Sequence, residues 1–149
     1  MTSINLRLGL IGVVVLGILG GAFELFAEGH WRSAQQLIPW LALVLLGSAV
    51  VLLLVRDTPG AVNAVRAVAL IVLLAAAFGV YAHVSANHRA GVFDPAWPTL
   101  SPLTQWWYAL TKSTGSAPPL APGMLAQSAL LLVLATLAPA KVKAAEARL

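Results

Sequence analysis

Residues 8–23, 37–55, 67–84 and 122–140 contain no aspartate, glutamate, lysine or arginine. Each run is close to the roughly 20 apolar residues that carry a helix across a bilayer. A soluble domain has roughly a quarter of its residues charged, whereas 60% of this chain is apolar and 9% charged. The chain therefore reads as all-α, an integral membrane four-helix bundle in one domain over residues 1–149. The expected spans lie near 5–27, 36–55, 64–86 and 121–140, and no length is left for a separate soluble catalytic domain.

Local signals set these limits. Arg7 and Glu24 bound the first run, where an arginine near a helix end can snorkel to the headgroups. Gly20, Gly21 and Ala22 would suit signal-peptide cleavage, but the uncharged stretch is long for such a segment, so the span is expected to be retained. Pro39 is expected in the first turn of the second span, and Arg56-Asp57-Thr58-Pro59-Gly60 closes it. Arg66 opens the third span, which leads into His83 and Asn87. Pro139 and Lys141 stop the fourth.

Arg7, Arg56, Arg66, Lys141, Lys143 and Arg148 fall on one side of this layout, and Arg32, Arg89 and Lys112 on the other. By the positive-inside rule both termini face the cytoplasm, as in a multi-pass protein of a bacterial inner membrane. The net charge of +4 is explained by that orientation, and no basic stripe suits nucleic acid.

The long outer connection, 85–121, holds "SPLTQWWYALTKSTG", read as a short interfacial helix near 102–112 with Ser101 as N-cap, Pro102 at the first position and Gly115 as stop. Leu103, Trp106, Trp107 and Leu110 recur at i, i+3, i+4, i+7 and share a face. That face suits either the headgroup region or another subunit. Asp94-Pro95-Ala96-Trp97-Pro98 reads as a fixed turn. In the first span Gly17 and Gly21 form a small-residue face for close helix packing, within the chain or against another protein.

Charged and ionisable groups near the membrane need a partner or a task. Glu24, His30, His83 and His88 gather toward the outer face, and a metal site could be drawn from them, although their spacing matches no metal signature. The reading preferred is a hydrogen-bonded cluster of Glu24, His83 and Asn87 tying the first span to the third, Glu24 accepting from His83, Asn87 or Arg89. A haem between histidines and a proton path are disfavoured. The histidines sit at span ends, and the second and fourth spans carry no ionisable relay.

With no cysteine, no Gly-x-Ser-x-Gly elbow and no phosphate loop, no enzyme and no cofactor are expected. The expected function is that of a non-enzymatic accessory or structural subunit of a larger membrane complex, with the bilayer and other membrane subunits as partners. The alternative is a small transport or metal-handling protein using the outer Glu/His cluster.

At "ELFAEGHW…QLIPW", "GVYAHVSANH" and "APPLAPGMLAQ" the chain resembles a group of small bacterial four-span integral membrane proteins with a similar Glu…Gly-His, His…Asn and Leu-Ala-Pro-Gly layout. The resemblance covers nearly the whole chain. It implies the four-span fold, and it carries over no activity and no functional residue.

Overall fold

A computed structural model of the chain describes residues 6–138. Among these the fold is entirely helical: α1 (Leu6–Ala27), α2 (Ala34–Val55), α3 (Pro59–Ala90), α4 (Pro102–Leu110) and α5 (Gly123–Leu137). Two 3-10 turns, Gly91–Phe93 and Trp97–Thr99, lie between α3 and α4. Three helices, α1, α2 and α3, are long and apolar enough to cross a membrane. The fourth apolar helix, α5, has 15 residues. The expected ends of the first and fourth spans, with Pro139, Lys141, Lys143 and Arg148, lie outside the described residues.

One stripe on each long helix faces inward. On α1 it runs Arg7, Ile11, Val14, at helical spacing. On α3 it runs Ala61, Val65, Ala69, Val72, Ala76. These meet Leu46, Ala49 and Leu53 of α2 and Ala129, Leu132 and Ala135 of α5 in one core, dense in alanine and valine. Small side chains let the helices approach closely. The larger ones turn outward: Leu16 is 69% exposed, Phe23 74% and Val55 70%.

The close approaches are specific. A Cβ on Gly17 would stand 2.5 Å from Ser128 Oγ on α5, and one on Gly21 3.4 Å from Leu43 Cδ2 on α2. Both glycines thus serve packing inside this chain. Gly79, on α3, was not singled out by its spacing, yet a Cβ there would lie 2.9 Å from Pro122 Cγ, at the entry to α5.

Several boundaries differ from the sequence reading for identifiable reasons. Helix α3 starts at Pro59, because the Thr58 side chain accepts from Ala61 N as an N-cap and Pro59 takes the first turn, where a missing N–H is harmless. Of the pentapeptide that closes α2, Arg56, Asp57 and Thr58 remain outside helix, and Pro59 and Gly60 belong to α3. At the other end α3 continues to Ala90, beyond the expected end at 86, and His83, Asn87 and His88 all lie on it. Pro39 is not in a first turn either. Ser33 caps α2 through Gln36 N, the helix starts at Ala34, and Pro39 stands inside it, which removes the bond that would reach the Gln35 carbonyl. The stop of α4 is Lys112, at φ 59, ahead of the expected Gly115.

Arg7 does not snorkel. It is 6% exposed, pairs with Asp57 Oδ1 at 2.9 Å and donates to the Leu53 carbonyl at 3.1 Å. That carbonyl is one of the last four of α2, which have no partner within the helix. Nearby on the same end of the bundle, Arg66 Nε donates to Thr136 Oγ1 at 3.0 Å and joins α3 to α5. Arg7→Ala is expected to lower stability by about 2 kcal/mol, because a charge-assisted bond to a buried carbonyl is lost. Asp57→Asn should cost less than about 1 kcal/mol, since that partner is 55% exposed and screened. Melting of the two variants in detergent checks the order; equal losses would contradict it.

Candidate functional site: the cavity at the end of the bundle

The Glu28-Gly29-His30 segment ends α1 in a Schellman turn. Gly29 takes φ +60, its N–H donates to the Phe26 carbonyl at 3.0 Å, and His30 N–H donates to the Leu25 carbonyl at 2.9 Å. This turn sends His30 back over the end of the bundle. Trp40 Nε1 of α2 then donates to the His30 carbonyl at 2.8 Å and holds it there.

Opposite stands the upper stripe of α3. His83 Nδ1 lies 2.6 Å from the Pro118 carbonyl, a pairing that needs the proton on Nδ1. One turn on, Asn87 is 1% exposed. Its amide nitrogen donates to the Ala109 carbonyl at 3.0 Å and the Ala117 carbonyl at 2.8 Å, and its oxygen accepts from Ala117 N–H at 2.9 Å. Gly115 is pressed against Asn87 at φ +74, a conformation and a clearance that only glycine meets well. The loop after α4 is thereby strapped across the bundle end.

Between this strap and helices α1, α2 and α3 lies a cavity of about 500 Å³. Gly17, Gly21, Phe78 and Leu125 give it an apolar floor, and Glu24, Glu28, His30, His83 and Arg89 also line it. The His30 and His83 rings face each other at 6.4 Å, inclined by 63°. Burial, and secondarily the neighbouring His83, hold the His30 pKa below its usual 6.5, while Glu28 opposes the shift. A histidine depressed in the folded state binds fewer protons than in the unfolded state, so its contribution to stability is complete above pH 6.5 and falls as pH drops below it. Melting measured from pH 7.5 downward should show this decline, and His30→Gln should flatten it.

The structure divides the expected polar cluster. Glu24 and His83 share the cavity wall, but Asn87 spends its whole amide on the strap, and His83 is held by Pro118. Among the described residues no hydrogen bond reaches the Glu24 carboxylate, which stands half-buried on the wall. Glu24 does not tie α1 to α3, so Glu24→Gln and Glu24→Ala should both melt within about 0.5 kcal/mol of the parent. His88 is elsewhere: it stacks on Trp106 at 4.3 Å and meets the edge of Trp97 at 5.3 Å. Among the described residues no three His, Asp or Glu side chains gather closely enough to hold a metal ion.

The aromatic cap was only partly foreseeable. Asp94 Oδ1 accepts from Ala96 N–H at 2.9 Å, which closes the anticipated turn and sets Trp97 inward, 5% exposed, over Gly91. Gln105 Nε2 donates to the Trp97 carbonyl at 2.9 Å and fixes α4 to that turn. On α4 Ser101 and Pro102 begin the helix as expected, and Trp106 turns to His88. Leu103 is left 82% exposed and Trp107 59%. The Gly in Glu-Gly-His and the Thr-Pro before α3 are cap signals that sequence reasoning could have used. The Trp40 and Pro118 contacts carry no local signal.

Comparison with protein-family models, with curated proteins and with solved structures returned no match to this chain.

Proposed function

We propose that the chain is a four-span protein of the bacterial inner membrane, both termini cytoplasmic, serving without catalysis as an accessory or structural subunit of a larger membrane complex. Three apolar helices of sufficient length and the outward-facing large side chains favour the bilayer as solvent. Helix α5 is taken as the fourth span: it is apolar and packed against α1 and α3, and its uncharged run continues past the described residues. Orientation rests on the basic residues. Arg7 and Arg66 are drawn to one end by Asp57 and Thr136, while Arg32, Arg89 and Lys112 belong to the other.

The observation that carries the subunit reading is α4. Its nine residues are too few to span, and it is clamped in place by Gln105, Trp106 and Asn87, yet it holds Leu103 and Trp107 outward. An ordered, exposed aromatic face is the composition of a binding surface. Native mass measurement after gentle detergent extraction should find the chain with a second protein. A lone monomer or homo-oligomer would overturn the reading. Orientation is checked by cysteine labelling from outside: Ser33→Cys and Ser113→Cys should react and Gly60→Cys should not. Gly60 is preferred to its neighbour Ala61, which is buried and would stay unreactive on either side.

The cavity favours a second reading, a small transport or ligand-handling protein working from the outer face through Glu24, His30 and His83. Its volume is that of a small-molecule site. With fewer than three candidate metal ligands together among the described residues, the ligand would be organic.

A further inference from the structure

The cavity adjoins a second hollow, with Gly17 and Met124 lining both. This groove of about 220 Å³ runs down the outside of the bundle between α1 and α5. A chamber with charged groups on one wall, beside a furrow lined by Val13, Leu16, Met124 and Leu131 with Gln127 and Ser128 at its α5 side, suits an amphiphile with its head in the chamber and its chain in the furrow.

The chemistry of the head follows from which groups in the chamber are already used. His83 commits its Nδ1 proton to Pro118, so in its neutral form Nε2 is a lone-pair acceptor. The Glu24 and Glu28 carboxylates accept only, and among the described residues neither is bonded to a donor. Ser33, Gln35, Gln36 and Ser116 also line the chamber and can donate or accept, but among the described residues the two carboxylates have no donor, and a head that meets them must donate. The one fixed cation on the wall is Arg89, exposed and, among the described residues, outside any ion pair; its guanidinium suits a phosphate. We propose that the cavity and its groove bind a zwitterionic aminophospholipid, its ammonium toward Glu24 and Glu28, its phosphate toward Arg89, and one acyl chain in the furrow beside Gly17. An anionic lipid without an amine is disfavoured, because it brings a net negative charge to two carboxylates and no ammonium to balance them. The inference rests on the reading of the chain as membrane-spanning.

The test uses the full chain in nanodiscs containing equal parts phosphatidylethanolamine and phosphatidylglycerol, followed by native mass measurement of lipid retained on release. Selective retention of one phosphatidylethanolamine is expected. Glu24→Gln should lower that retention about tenfold or more, as loss of a charge-assisted bond implies, with unchanged melting. Arg89→Gln, on an exposed side chain, should weaken it as well. Soluble phosphoethanolamine should not compete at equal concentration, since it lacks the chain; full competition would assign the site to a free amine and overturn the lipid. Equal retention of both lipids, or retention indifferent to both substitutions, overturns the proposal while leaving the membrane reading intact. Failure to enter the nanodisc overturns both.

Discussion

Asn87→Leu is expected to release the outer strap from α3. The substitution keeps a similar volume but removes the amide that satisfies the Ala109 and Ala117 carbonyls and the Ala117 N–H. Three backbone groups then lose their partner, the Ala109 carbonyl in a buried place and the two Ala117 groups in a partly buried one. At about 1 kcal/mol or more for each, the loss is about 3 kcal/mol or more. The strap also closes the cavity and supports α4, so the damage should spread: trypsin should cut at Lys112 faster than in the parent, and the melting point should fall. Unchanged melting with unchanged cleavage would mean that Asn87 is not the fastening. The residue is a useful contrast to Glu24, which looks costlier on paper and for which little change is expected.

Gly91→Val is expected to unseat Trp97. A Cβ at residue 91 would fall within the indole ring, a rigid group that cannot rotate aside. Overpacking of this kind costs about 1–3 kcal/mol, and expelling a buried Trp adds to it. Trp97 is also the edge partner of His88 and its carbonyl holds Gln105, so α4 should lose its seat. Non-additivity gives the clearest check. In a Trp97→Ala background Gly91→Val should cost far less than in the parent, because the two changes act on one contact. Additive losses would show that residue 91 acts through its backbone instead.

The parts of the fold that could be read from the sequence are those set by local pattern. Uncharged runs announced α1, α2 and α3, and Ser101-Pro102 announced α4, because hydrophobic period and cap chemistry act over one or two turns. The ends of α3 were harder. Thr58-Pro59-Gly60 serves equally as turn and as helix start, and the polar residues after His83 imitate a water boundary, although they are held helical by a loop that returns to them. The site shows the same division. Glu24, His30 and His83 were placed at the outer face by position, and the cavity brings them together. Their partners were not legible, because Asn87 meets a backbone 30 residues away and Trp40 meets one across a turn. Main-chain partners leave no mark on residue type. A half-buried carboxylate near histidines invites pairing on paper, but only the path of the strap decides that both His83 and Asn87 are occupied elsewhere.

The length of α3 has a mechanical meaning. At 1.5 Å per residue its 32 residues extend about 48 Å, whereas the hydrocarbon layer is about 30 Å deep. If the helix spans a bilayer as proposed, the surplus cannot lie in lipid along the bilayer normal, and the helix must lean, protrude, or do both. Its outer turns carry the strap, Trp97 and α4, which makes this helix a mast for the whole cap. On the proposed membrane reading, a thicker bilayer would stand the mast upright and a thinner one would let it lean, and the height and pitch at which Trp107 meets its surroundings would change with the membrane around it.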